Sequence, residues 1–396
     1  MQKNKIIISI DGIRKDRIGI YNSKADYLTP NINRISKESV IFDDMLAAAT
    51  STGMCFSSIF TGKAQKEFKR RNYGDTFNPF DDNIFTDHES LGYKTFVCLN
   101  ERFKVHHKLI NTFGNAEHWW TGNINQNKNI GSLSPIEQIQ FADSKIKTIK
   151  EPFLLWIHLW GFSKPKDKFL ELTPFDYDAR VAELDEAIGL AFDLLRNESE
   201  MYFFSDHGYA FFEKKKWGYG KDGENLTEPV CSVPFIAYKN DEKGRNPNLI
   251  SQLSIRKIIS SNEEISSLKD DTAFCESRYI DQTDRALAIR IESMKLIYYF
   301  YNDKYEFYDL RNDHNESIDY ASKTFNKFSR NINGQHPEDS PYIIRNDWNN
   351  LYDILDKSLN IARNYYQEGY TIKHKLKEFI KRNFFLFTFY RFFQKK

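Results

Sequence analysis

The apolar run Ile6-Ile7-Ile8-Ser9-Ile10, cut off by Asp11-Gly12, constrains the fold of this 396-residue chain more than any other stretch. A near-continuous apolar run of this length reads as a strand buried on both faces, the kind found inside a parallel sheet. Such a strand delivers Asp11 at its C-terminal tip, the edge where open α/β sheets bind ligands. On its own, a strand-end aspartate more often caps a turn. Here the arrangement returns in Met201-Tyr202-Phe203-Phe204-Ser205-Asp206-His207-Gly208. Two buried strands ending in Asp and in Asp-His bring hard oxygens and an imidazole to one edge, which is a metal-binding donor set.

Strand and helix patterns alternate from Lys5 to about Tyr238. Strands are expected over Lys5–Ile10, Thr95–Cys98, Pro152–His158, Met201–Phe204 and Val233–Tyr238. Helices are expected over Asn31–Ser39, Asp87–Leu91, Pro135–Ile149 and Asp178–Arg196. The last carries Val181, Leu184, Ile188, Ala191 and Leu194–Leu195 on one face. Alternation of this kind implies an α/β fold, a large, mostly parallel sheet between helices. The polar stretch Lys239–Asn248 reads as a surface connection. Beyond it, Ala286–Ile291, Leu296–Tyr301 and Tyr305–Tyr308 predict a small antiparallel sheet, with Asn302-Asp303-Lys304 as a hairpin turn. The expected units are an α/β domain over 1–240, a smaller α+β subdomain over 241–330, and a helical tail over 331–396.

A net charge of +1 argues against nucleic acid as a partner, since phosphate-backbone binding needs a clustered positive field. The four cysteines, Cys55, Cys98, Cys231 and Cys275, form no CxxC pair, which argues against a disulfide framework or a cysteine zinc site. Strand one begins within five residues of Met1, leaving no room for a signal peptide, and no apolar run reaches membrane-spanning length. The expected compartment is the cytoplasm, with peripheral contact at the inner face of the membrane through residues 373–396. That segment holds eight Lys/Arg, seven Phe and one acid, Glu378. On a helix, Lys377, Lys381, Thr388, Arg391 and Lys395 form a polar strip opposite an aromatic face. This reads either as an interfacial membrane helix or as a helix docking its Phe side on the domain.

Taken in order, the segments resemble the sulfatase-like branch of the alkaline phosphatase superfamily over roughly residues 5–325. The resemblance rests on Asp11-x-x-Arg14-x-Asp16, Thr29-Pro30-Asn31-Ile32, Val40-Ile41-Phe42 and Ser51 through Thr61-Gly62. It continues with Gly92-Tyr93-Lys94-Thr95, Ser205-Asp206-His207-Gly208 and Val233-Pro234-Phe235-Ile236. It ends with Lys295-Leu296-Ile297 and Phe307-Tyr308-Asp309-Leu310. Counting nine residues back from Thr61 places the nucleophile at Thr52. Sulfatases carry there a cysteine that becomes formylglycine. The segment Thr-Gly-Met-Cys-Phe offers no such cysteine, so no formylglycine is expected. Threonine at this position instead resembles the superfamily's phosphodiesterases and phosphotransferases. A hydroxyl is a poor nucleophile until a cation lowers its pKa. The plainer alternative is that Thr52 or Ser51 merely N-caps a helix.

The resemblance implies one divalent cation (Ca²⁺, Mn²⁺ or Mg²⁺) held by Asp11, Thr52, Asp206 and His207. It puts Ser163 where the family has a histidine, after the strand that ends at His158 and Leu159. Asp222 falls on a family His/Lys position with Lys221 beside it, and Phe56 replaces an arginine. A second metal site is therefore not expected. Arg14 and Lys221 are the expected catalytic cations, with Lys63, His158, Ser163 and Asp222 as weaker substrate-binding candidates; Lys104 and His106 or His107 are further cations in reach of that role. The expected activity is a metal-dependent hydrolase or transferase acting on a phosphate or sulfate ester of a small molecule, glycan or lipid-linked substrate. The alternative is a sulfatase-fold protein that has lost catalysis and serves as a binding or scaffolding subunit.

Overall fold

The computed structural model describes residues 2–68, 82–100, 113–121, 123–124, 130–131, 133–160, 173–211, 213, 217–218, 225–239, 241–277, 286–300, 304–321 and 348–365. Eight strands form the main sheet: β1 (Asn4–Ile10), β2 (Val40–Leu46), β3 (Lys94–Asn100), β4 (Glu117–Thr121), β5 (Phe153–Leu159), β6 (Ser199–Ser205), β7 (Ser232–Tyr238) and β8 (Gly244–Ser251). Their spatial order is β8-β2-β7-β6-β1-β5-β3-β4. Only β7 runs antiparallel to its neighbours; the other pairs are parallel.

β1 lies at the centre of this sheet because its residues pack on both sides. Ile6, Ile8 and Ile10 join one apolar layer with Val181, Leu184 and Ile188. Ile7 faces the other layer, with Phe42, Phe56 and Trp156. This is the period-two alternation of a strand applied to an all-apolar run. The helices are α1 (Pro30–Ser36), α2 (Thr52–Thr61), α3 (Ile84–Ser90), α4 (Pro135–Ile146), α5 (Pro174–Leu195), α6 (Glu228–Cys231) and α7 (Ile255–Ser260). α4 starts at a capping box in which Ser134 and Glu137 satisfy each other's amides. α5 starts four residues before the apolar periodicity becomes visible, where Thr173 accepts from the Asp176 amide and Pro174 fills the first turn.

The expected surface connection over Lys239–Asn248 is corrected. Gly244–Ser251 is an edge strand, parallel to β2, with a register break between Asn246 and Leu249. Pro247 sits in that break, and an edge strand tolerates a proline that an interior one would not. The main sheet therefore extends past residue 240.

A second, antiparallel sheet follows the order β9 (Ala273–Glu276), β10 (Ala286–Ile291), β11 (Met294–Tyr299) and β12 (Lys304–Asp309). The sheet packs its Ala286, Ala288, Ile297 and Tyr299 into the main core and touches the segment leading into α2 through an Ala49–Glu276 bridge. Its other face carries Leu287, Ile289 and Leu296, covered by Leu359, Ala362 and Tyr365 of α8 (Trp348–Tyr365). No helix among the described residues is long and apolar enough to cross a membrane. Of the expected turn Asn302-Asp303-Lys304, Lys304 opens β12 and the other two residues lie outside the described residues, as does the tail from 366 onward.

Candidate active site

Parallel pairing sets the site's dimensions. Ile10 of β1 lies opposite Ser205 of β6, so Asp11 and Asp206 leave the sheet side by side. The Asp206 amide donates to the Ile10 carbonyl (3.2 Å), and the Asp11 amide to Leu159 of β5 (3.1 Å). Gly12 then turns through a left-handed backbone, φ +68°, which glycine adopts without a side-chain clash. That turn aims the Gly12 amide at Asp206 Oδ1 (3.0 Å), which also accepts from the His207 amide (2.8 Å). Asp206 Oδ1 is thus held twice by backbone. Its Oδ2 is buried without a hydrogen-bond partner among the described residues and lies 3.5 Å from His207 Nε2.

His207 is fully buried, and its Nδ1 lies 3.0 Å from the Gly208 carbonyl. A carbonyl only accepts, so Nδ1 carries a hydrogen and Nε2 is the ring nitrogen turned to the site. Nε2 lies 3.7 Å from Asp11 Oδ1 and 3.3 Å from Thr52 Oγ1. Thr52 is the first residue of α2 and its hydroxyl also lies 3.4 Å from Asp11 Oδ1. The plain capping role fails here: Ser51 is the N-cap but makes no side-chain cap bond, and the Thr52 hydroxyl turns to the carboxylate and imidazole.

Two carboxylates and an imidazole nitrogen converge within 4.8 Å in a buried corner. Burial, and then the charge of Asp206, push Asp11 up to about 7, against His207 and the Thr52 hydrogen bond, which pull it down. An orphaned carboxylate oxygen, a ring whose other nitrogen is fixed by a carbonyl, and mutually repelling acids fit a divalent cation with oxygen and nitrogen donors.

Gln252, which the sequence does not single out, helps hold this corner together. Gln252 donates from Nε2 to the Ser205 (2.7 Å) and Asp206 (2.9 Å) carbonyls while its Oε1 accepts from the Ala48 amide (2.8 Å). One buried side chain thereby ties the Asp206 turn to the segment leading into Thr52. Gly208 has no alternative, since a Cβ there would sit 1.9 Å from the Pro229 carbonyl oxygen. Behind that carbonyl, Glu228 joins a buried ionic group. Lys295, with no exposed surface, contacts Glu228 (2.8 Å) and Glu316 (2.7 Å), and Arg290 contacts Asp44 (2.6 Å). Burial raises the Glu228 carboxyl, but Lys295 and Arg290 outweigh it and bring the group down to about 2. No local pattern marks these partners, because each pair joins residues tens of positions apart.

The other candidates are placed differently. Arg14 is buried, and its guanidinium bonds Asp16 through Nε (2.8 Å) and Nη2 (2.7 Å) and Glu213 (2.6 Å) and the Tyr209 carbonyl (3.2 Å) through Nη1. Four of its five N–H groups are therefore committed away from Thr52. Lys63 follows the C-terminal end of α2, about 15 Å of helix from Thr52, so the structure sets it apart from the carboxylates. His158 lies on β5 beside Ser9 (Nδ1 to Oγ, 2.9 Å) and is packed edge-on to Phe56. Burial lowers it to about 4, which keeps it neutral. Phe56, at the expected arginine position, stacks into Trp156 and Phe60 and is core. Ser163, Lys221, Asp222, Lys104, His106 and His107 lie outside the described residues.

The chain is similar to known proteins in sequence and in fold. A family model described as Sulfatase matches residues 3–268. An arylsulfatase of Clostridium perfringens is 24% identical over 258 residues, 63% of this chain and 52% of the relative. The phosphoethanolamine transferase OpgE of Escherichia coli is 23% identical over 265 residues, 60% of this chain and 46% of the relative. The chain spans about half the length of the curated relatives it matches. A protein solved in complex with its substrate D-glucosamine-2-N,6-O-disulfate superposes with a TM-score of 0.64 at 15% identity, covering 92% of this chain and 98% of that one. At that identity the likeness shows a shared fold.

Proposed function

The chain belongs to the sulfatase family, and from that premise we propose that it is a metal-dependent hydrolase or transferase of phosphate or sulfate esters, with Thr52 as nucleophile. The observation that carries the reading is the Thr52 hydroxyl at the head of α2, between Asp11 Oδ1 and His207 Nε2. Asp11, Asp206 and His207, with Thr52, would hold one divalent cation. When bound, that cation would offset the two carboxylates and lower the pKa of the threonine hydroxyl.

The residues themselves supply the rest. Thr52 Oγ1 attacks phosphorus or sulfur, the substrate's alkoxide leaves with a proton from water, and the Thr52 proton passes to Asp11 Oδ1. Thr52 then carries the transferred group as an ester. Water releases it in a hydrolase and an acceptor hydroxyl takes it in a transferase, with Thr52 Oγ1 recovering its proton. The first turn of α2 presents the positive end of the helix dipole to the anionic group. His207, held by its Nδ1–H, keeps its Nε2 toward this centre. A hydroxyl in place of the aldehyde hydrate favours phosphorus over sulfur, in line with the similarity to a phosphoethanolamine transferase. A glycan or lipid-linked ester is the proposed substrate class.

The test is metal analysis of the purified protein, followed by turnover of aryl phosphate, phosphodiester and sulfate esters by wild type and Thr52→Ala. The reading expects bound divalent metal and a loss of turnover of three orders of magnitude or more, roughly the effect of removing a covalent nucleophile. Equal turnover by the two proteins would remove Thr52 from the mechanism. A second reading, a non-catalytic binding or scaffold protein, draws on the commitment of Arg14 to Asp16 and Glu213 and on Phe56 in the core. It predicts that Thr52→Ala and Asp11→Asn leave partner binding intact and that no ester is turned over.

A further inference from the structure

An open groove of ≈ 670 Å³ runs between α8 and the edge strand β9, lined by Lys66, Phe274, Lys357, Asn360, Ile361, Asn364 and Tyr365. Its volume lies within the range of small-molecule sites. No Asp or Glu side chain lines it among the described residues, and both charges it carries are lysines. Asn360 and Asn364 are four apart on α8 and so present two carboxamides on one helix face.

The groove is built rather than incidental. Tyr365 is buried, tilts against Phe274 with ring centroids 5.1 Å apart, and donates its hydroxyl to Glu276 Oε1 at 2.9 Å. The same carboxylate oxygen, on a residue 2% exposed, accepts from the Gln65 amide at 3.0 Å. That fixes the backbone from which Lys66 rises, and its ammonium sits 4.2 Å over the Tyr365 ring. The wall is tied to the nucleophile segment as well. Gln65 Nε2 donates to the Met54 carbonyl and to Ser58 Oγ, both at 2.8 Å, and the Glu276 carbonyl accepts from Thr50. These links keep Lys66 within about 20 Å of Thr52 along the bonded path.

We propose that this groove is a second binding site, separate from the Thr52 centre, for an anionic saccharide chain. The lysines match sulfate, phosphate or carboxylate groups, the carboxamides match hydroxyls, and the half-buried ring of Phe274 offers an apolar face for the carbon side of a ring. The chain's own C-terminal segment is a poor occupant, because eight Lys/Arg against one acid over residues 373–396 would face two lysines. A flat lipid surface would not use a concave wall of carboxamides.

The proposal does not require Thr52 to be a nucleophile, so the test measures binding on the full chain carrying Thr52→Ala. Dextran sulfate, neutral dextran, inorganic polyphosphate and phosphatidylserine vesicles are the probes. Dextran sulfate should bind, more weakly as salt rises, and Lys66→Glu with Lys357→Glu should weaken it at least tenfold. Asn360→Ala with Asn364→Ala should weaken dextran sulfate severalfold and leave polyphosphate unchanged. Circular dichroism and the melting temperature of each variant, compared with those of Thr52→Ala alone, report whether the fold is intact. Binding that survives the lysine reversal in a folded protein overturns the site. Equal binding of polyphosphate and dextran sulfate, untouched by the asparagine changes, overturns the saccharide assignment, as does a lysine-dependent preference for vesicles.

Discussion

Replacing His158 with glutamine should remove a source of acid sensitivity that the fold builds into its centre. The ring is 1% exposed, with Nδ1 2.9 Å from Ser9 Oγ, edge-on to Phe56 and tilted against Trp156. Burial lowers its pKa from 6.5 to about 4. The sign follows directly. As pH drops below 6.5 the unfolded chain takes up the proton first, so the unfolded state gains stability that the native state matches only below about pH 4. With those two values, protonation favours unfolding by about 0.2 kcal/mol near pH 7 and by about 2 kcal/mol near pH 5. A glutamine keeps a polar group toward Ser9 and does not titrate. Urea unfolding followed by tryptophan fluorescence, with Trp156 as a neighbouring reporter, would be run on both proteins from about pH 7 to about pH 5. The wild type should lose about 2 kcal/mol more than the variant over that interval. Parallel stability curves for the two proteins would mean that the ring is not held neutral, and the burial argument for this strand would fail.

Asp206→Asn should abolish the rise in melting temperature that Ca²⁺, Mn²⁺ or Mg²⁺ gives the wild type, a stabilisation of about 2.7 kcal/mol when the cation stands at a hundred times its Kd. An unchanged shift by scanning fluorimetry would exclude Asp206 as a ligand. Gly208→Ala should destabilise by about 3 kcal/mol, because its Cβ meets a backbone oxygen that cannot swing away; a change under about 1 kcal/mol in denaturant unfolding would contradict the close approach. Lys295→Met should cost about 3–5 kcal/mol by stranding Glu228 and Glu316. Adding Glu316→Gln should recover part of that loss, and a purely additive double variant would count against the pair.

Strand β1 and the Ser205-Asp206-His207-Gly208 turn were legible because a run of isoleucines and a run of aromatics ending in acids admit few other folds. Gly244–Ser251 was misread because its membership of the sheet comes from pairing with β2, while its own residues are polar and include Pro247. The buried pairing of Lys295 with Glu228 was likewise invisible, since a charged side chain in isolation reads as surface. Arg14 shows the converse. The resemblance made it an expected catalytic cation, and only the folded arrangement shows Asp16, Glu213 and the Tyr209 carbonyl taking its donors.

Local pattern alone determined that this chain builds a mostly parallel sheet and sends Asp11, Asp206 and His207 to one of its edges, because hydrophobic periodicity is a property of neighbours in sequence. Tertiary structure decided that Asp206 keeps one oxygen unpartnered among the described residues, that Nε2 of His207 faces inward, and that the Thr52 hydroxyl turns to them instead of capping α2. Those outcomes depend on register between strands and on hydrogen bonds such as those of Gln252, which join segments about 45 to 200 residues apart. Contacts of that range are set when the sheet closes, and no stretch of sequence carries them by itself.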